Sequence, residues 1–161
     1  GNSLGRKKKA QYEYRLRWDD VVYQPGELKV IAYKKGTKWA ENSVQTTSES
    51  AGIKMDVDRK VITVDGNDLA FITVSVVDKN GRVVPTAKNQ LNFKVEGVGE
   101  IVATDNGDST SFVSFKSLQR PAFNGLCLVI VRAKSGEAGN IKVTASADGL
   151  TDGAIQVQEK K

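Results

Sequence analysis

Asp105 and Asp108 flank a glycine in the run Asp105-Asn106-Gly107-Asp108. Two carboxyls about 5–9.5 Å apart, one with a raised pKa in a pocket, can act as acid and base or nucleophile in hydrolysis. The same oxygens could also hold calcium. That ion takes about six to eight oxygen ligands, whereas the side chains here offer only those of Asp105, Asn106, Asp108 and Thr110. Aspartates beside a glycine more commonly cap the turn with their own side chains, and this is the reading expected here and for Asp65 and Asp68. Cys127, the one cysteine, lies inside the apolar run Leu126–Ala133. A nucleophilic thiol needs a lowered pKa and access; a buried free cysteine behaves as a small hydrophobe. The chain has no histidine, which removes His-based triads, His metal sites and the usual general base near neutral pH. The expectation is therefore no catalytic residue, no metal and no cofactor.

The aromatic residues are a second candidate. All four Tyr and both Trp lie within residues 1–40, at Tyr12, Tyr14, Trp18, Tyr23, Tyr33 and Trp39. Exposed aromatic faces can stack on sugars, and alternating aromatics can equally fill a core or a contact with a neighbouring domain. Tyr12, Tyr14, Trp18, Tyr33 and Trp39 are carried forward as contact or sugar-stacking residues. The same 40 residues hold ten Lys/Arg and four acids, a balance of +6 against +5 for the whole chain, so the remainder is near neutral at −1. Arg6-Lys7-Lys8-Lys9 could meet phosphates. Beside an alternating strand such a run better suits a solvated edge, where Lys blocks edge-to-edge pairing, and no nucleic-acid partner is expected. No apolar run approaches the length of a membrane helix, and no membrane partner is expected either.

The elements that would position these residues are strands. Leu126–Ala133 is almost unbroken apolar; Lys134 to Asn140 is a glycine-rich reversal; Ile141, Val143 and Ala145 then alternate with polar residues. This pattern predicts an antiparallel hairpin whose first strand is central in a sheet. Strands are also predicted over Tyr12–Trp18, Glu27–Lys34, Thr37–Thr47, Ile53–Val57, Val61–Val64, Leu69–Asp78, Arg82–Val84, Leu91–Val95, Glu100–Ala103 and Ala154–Val157. Asp78-Lys79-Asn80-Gly81 gives a strong turn signal. No stretch has a convincing helical period. The reading is all-β: an immunoglobulin-like antiparallel β-sandwich over 53–158, preceded by a linker at 48–52 and by a partial second sandwich at 1–47 that lacks its early strands. The turn-like opening Gly1–Gly5 reads as a start inside something longer.

Three stretches carry a family resemblance. AGIKMDVDRKVITVDGNDLAFITVSVVDKNGRVVP, residues 51–85, resembles the first half of bacterial immunoglobulin-like domains of the invasin/intimin sort. DNGDSTSFVSF followed by RPAFNGLCLVIVR resembles the C-terminal domain of bacterial β-galactosidases of glycoside hydrolase family 2. GNSLGRKKK with YRLRWDDVVYQPGELKVIAYKKGTKWA resembles the immunoglobulin-like domain that precedes it in those enzymes. Many relatives have Pro, His, Glu and Pro where this chain has Ser109, Phe112, Val113 and Ser114, so no role of that polar pair carries over. The family's catalytic glutamates lie in an upstream barrel, so none maps onto this chain. The resemblance implies a non-catalytic C-terminal region of a β-galactosidase, periplasmic or secreted, with the catalytic domain of the parent enzyme as partner. Self-association through 1–47 is also expected, since a sheet without its cover exposes an apolar patch and an edge. The alternatives are a carbohydrate- or surface-binding module and an adhesin-type stalk domain.

Overall fold

A computed structural model describes residues 1–134, 136 and 138–160. They fall into two units that divide between Thr46 and Thr47. Among the described residues all regular structure is β, in three sheets.

The first unit contains one antiparallel ribbon, β1 (Glu27–Lys34) with β2 (Thr37–Gln45). Lys35 and Gly36, at φ 50° and 82°, make the two-residue reversal between them. Positive φ at both positions matches the twist of the strands it joins. Every residue of β2 is exposed, and so is every residue of β1 except Ala32. The strand expected over Tyr12–Trp18 is not formed. Its alternation is real, but a strand needs a neighbour to take its backbone groups. The chain instead closes a local turn: the Glu13 amide donates to the Ala10 carbonyl (3.3 Å), the Glu13 carboxylate accepts from the Ala10 amide (2.9 Å), and Tyr12 sits at φ 68°. The Lys7 ammonium then takes the Arg17 carbonyl.

The second unit is a sandwich. One sheet has the order β3 (Ser50–Val57), β5 (Leu69–Asp78), β9 (Leu126–Ala133), β7 (Gly99–Asp105). The other has the order β4 (Val61–Thr63), β11 (Gly153–Lys160), β10 (Asn140–Ser146), β6 (Gln90–Gly97), β8 (Gln119–Pro121). All pairs are antiparallel except β11 with β4. Period-2 alternation turns Ile72, Val74 and Val76 of β5 and Val129 and Val131 of β9 inward against Leu91, Ile141, Val143 and Val157 of the opposite sheet, all fully buried.

Three features of the sequence reading change here. β9 is an interior strand as expected, but it does not form a hairpin with β10. Its two edges are taken by β5 and β7, while β10 pairs with β6 and β11 in the other sheet. The expected reversal at 134–140 includes Ser135 and Glu137, which lie outside the described residues. Arg82–Val84 contributes only an isolated bridge, Val83 to Val77. β3 also begins at Ser50, inside the stretch assigned to the linker.

The outer strands of the first sheet are not left as bare templates. The Ile53 amide donates to the Thr151 carbonyl (2.9 Å) and the Thr151 amide to the Ala51 carbonyl (3.0 Å), covering the start of β3. The Thr104 amide of β7 donates to the Phe115 carbonyl (2.7 Å). Such covering blocks pairing with another chain. Asp78 ends β5 and ties in the start of the unit: its buried carboxylate accepts from the amides of Ser48 (3.1 Å), Asn80 (2.9 Å) and Arg82 (3.0 Å). The Arg82 amide leads in holding its pKa below the usual carboxylate value.

Candidate functional site

The ribbon carries Tyr33 and Trp39. Register passes from Ala32 opposite Ala40 to Tyr33 opposite Lys38, so Trp39 is the extra residue of a β-bulge. A bulge re-aims a side chain, and Trp39 stands 71% exposed with the Lys34 ammonium 5.5 Å from its ring centroid. The Arg6 guanidinium lies 5.5 Å from the Tyr33 ring, and the Lys7 ammonium 5.5 Å from the half-buried Trp18. The basic run is therefore partly engaged with aromatic faces, each contact worth about 0.5–1 kcal/mol when exposed. Tyr12 and Tyr14 lie on the segment before the ribbon; both are exposed, Tyr14 to 98%. Tyr23 shares a hydrogen bond of 3.1 Å with the Thr46 hydroxyl. Between the strands, Glu41 receives Lys38 (2.8 Å) and Lys29 (2.9 Å), which hold its carboxyl down to about 2. Of the five aromatics singled out, Trp18, Tyr33 and Trp39 have a cation over one face, and Tyr33 and Trp39 are more than half exposed.

The Asp105–Pro121 excursion gathers the other candidates. Asp105 Oδ1 accepts from the amides of Asn106 (2.7 Å) and Gly107 (3.3 Å). Asn106 Oδ1 accepts from the Asp108 amide (3.0 Å), and its Nδ2 donates to the Pro121 carbonyl (2.9 Å). Asp108 Oδ1 accepts from the Thr110 hydroxyl (2.7 Å) and amide (2.9 Å), and the hydroxyl leads in lowering its pKa. A general acid needs its pKa raised; this carboxyl moves the other way. Both aspartates act as turn caps. Asp65 does the same for Asn67 and Asp68 (2.8 and 2.9 Å), and Asp68 accepts from the Thr63 amide (3.0 Å).

Cys127 is 4% exposed, and its thiol donates to the Asp105 carbonyl at 3.0 Å. Burial pushes its pKa up to about 12, outweighing the opposing field of Arg120. It packs as a core residue, and both burial and the raised pKa run against what a reactive thiol needs.

Sequence reasoning missed Arg120. In β8 the flanking Gln119 and Pro121 face outward and Arg120 inward, 1% exposed. Its Nε donates to the Thr104 hydroxyl (3.0 Å), and its Nη2 to the carbonyls of Val113 (3.1 Å) and Ser114 (2.8 Å). The Phe115 ring lies 5.8 Å from the guanidinium carbon. This buried cation pins the excursion to the sandwich. Period-2 alternation through a three-residue strand was the available signal.

Comparison with known proteins gives consistent matches. A family model described as the glycoside hydrolase family 2 C-terminal domain 5 matches residues 53–156, and a domain of unknown function matches residues 1–40. The chain is 38% identical over 161 residues to a β-galactosidase of Bacteroides ovatus, covering 100% of this chain and 19% of that protein. It is 24% identical over 162 residues to a β-glucuronidase of Formosa agariphila, covering 96% of this chain and 16% of that one. A crystal structure of a glycosyl hydrolase family 2 member from Bacteroides cellulosilyticus superposes with a TM-score of 0.91 at 31% identity, over 98% of this chain and 22% of that chain. The chain thus spans less than a fifth of the length of the curated relatives it matches.

Proposed function

The chain belongs to glycoside hydrolase family 2, with the family's C-terminal domain 5 at residues 53–156, and from that premise we propose that it is a non-catalytic accessory region of a β-galactosidase. It supports a catalytic barrel carried elsewhere in the same polypeptide, by packing, spacing or subunit contact. The observation that carries this reading is the engagement of the loop carboxylates: Asp105 and Asp108 are held by backbone amides and a hydroxyl as turn caps. The test is hydrolysis of an aryl β-galactoside by the purified chain and by the natural full-length polypeptide that contains it. The longer protein turns the substrate over, and the chain alone stays at the buffer blank. Turnover by the chain, or a full-length protein inactive on every aryl glycoside tried, would sink the reading.

The ribbon favours a contact role for the first unit. A two-stranded ribbon is marginal alone, and Leu28, Val30, Tyr33, Trp39 and Val44 are all more than half exposed. Tyr12, Tyr14, Trp18, Tyr33 and Trp39 then belong to a contact with a neighbouring domain or a second copy of the chain. Sedimentation of the chain and of a version with Tyr33→Ser and Trp39→Ser, with hydrogen exchange of the ribbon amides, checks this. We expect weak ribbon protection in the monomer that rises on association, with the double variant staying monomeric. A strictly monomeric chain whose ribbon is as protected as β5 removes the need for a cover.

A further inference from the structure

The tip of the Asp105–Pro121 excursion exposes more apolar surface than a loop needs. Phe112 is 101% exposed, Phe115 62%, Leu118 47% and Val113 39%, all within seven residues. Single exposed apolar side chains are ordinary; four on one short loop form a patch that marks an interaction site. The loop is also built to keep them outward. Asp108 caps the turn at Thr110, the Ser111 amide donates to the Asp108 carbonyl (3.0 Å), and the Ser117 amide to the Ser114 carbonyl (2.9 Å). The Thr104 hydroxyl donates to the Ser117 carbonyl (2.8 Å), and Arg120 holds the carbonyls of Val113 and Ser114 from beneath. A fully buried arginine is thus committed to fixing backbone beside the fully exposed Phe112, while the Phe115 ring rests partly over its guanidinium and stays 62% exposed. A surface ordered before binding loses little entropy when covered.

We propose that residues 111–118 dock on an apolar surface elsewhere in the same full-length polypeptide, with Phe112 as the anchor and Phe115 and Leu118 beside it. This rests on the accessory-region reading and gives it a place of contact. The occupant is taken in cis because the matched relatives extend for more than four-fifths of their length beyond the region shared with this chain, and a tethered surface meets the loop at high effective concentration. The second unit also lacks the strong single-sign charge that would steer a separate macromolecule.

The experiment is hydroxyl-radical footprinting of the 161-residue chain and of the full-length polypeptide, read at Phe112 and Phe115. Both rings oxidise freely in the chain, and about five- to tenfold more slowly in the longer protein, as for residues at the water-excluded centre of an interface. Phe112→Ser supplies a second readout. It lowers the thermal midpoint of the full-length protein and leaves that of the chain unchanged, because the ring is fully exposed in the chain. Equal oxidation in both proteins overturns the proposal, and if the full-length protein still cleaves its glycoside, the accessory reading survives that failure. Protection already present in the chain and lost on dilution also overturns it, by making a second copy the occupant.

Discussion

Gly97→Ala is expected to destabilise the second unit by roughly 3–5 kcal/mol. Two effects add. Gly97 has φ 94°, in the region that L side chains rarely adopt, which costs about 1–2 kcal/mol by itself. The added Cβ would also sit 1.9 Å from the Asn140 carbonyl oxygen and 3.1 Å from its carbon. Both are backbone atoms at the start of β10, so no side chain can swing aside. Relief requires β6 and β10 to part where Gly97 faces Ile141, a fully buried core residue. Gly107→Ala is the control: φ 76° with nothing within 4 Å of the new Cβ leaves the conformational cost alone. The probe must suit the unit. All Tyr and Trp lie in residues 1–40, so intrinsic tryptophan fluorescence reports the first unit. Unfolding of the second is read by far-ultraviolet dichroism and by release of the buried Cys127 thiol in urea. Equal midpoints for the two alanine variants would show that the close approach to Asn140 carries no energy.

Arg120→Ala is expected to cost about 3 kcal/mol and to release the loop more than the sandwich. The side chain supplies three hydrogen bonds from a charged donor, and such bonds are worth about 1.5–3 kcal/mol each before compensation. Part of the loss is recovered as water reaches the freed carbonyls of Val113 and Ser114, and as the desolvation of a buried guanidinium disappears. Arg120→Lys keeps a charge but not the fork that reaches Thr104 and two carbonyls together, and falls between the two. Hydrogen exchange locates the effect: the Thr104 amide, bonded to the Phe115 carbonyl, and the Ser117 amide should exchange far faster in Arg120→Ala, with amides of β5 following the global stability. If loop and core amides lose protection equally, Arg120 is a core residue without a special hold on the loop.

The local physics of the chain is legible in its residues. Leu69–Asp78 and Leu126–Ala133 are strands with the bounds the apolar runs imply, and Glu27–Lys34 likewise. Alternation and turn chemistry are short-range, and each is written within about ten residues. The turn-capping reading of Asp105, Asp108 and Asp65 is of the same kind, because the amides they accept lie within three residues.

Partner choice is not local. Whether β10 folds back on β9 or joins the other sheet depends on who else competes for the edges of β9, and β5 and β7 hold both. Tyr12–Trp18 alternates like a strand and forms none, because alternation describes a face while a strand also requires a neighbour's backbone. Arg120 looks like any surface arginine until β8 is paired with β6 and its inward position lies over Thr104. The composition and spacing of the residues determined an all-β chain with its strands and turn caps. The tertiary structure alone decided which strands became neighbours, since backbone donors and acceptors are the same in every residue but proline, and long-range packing selects among them.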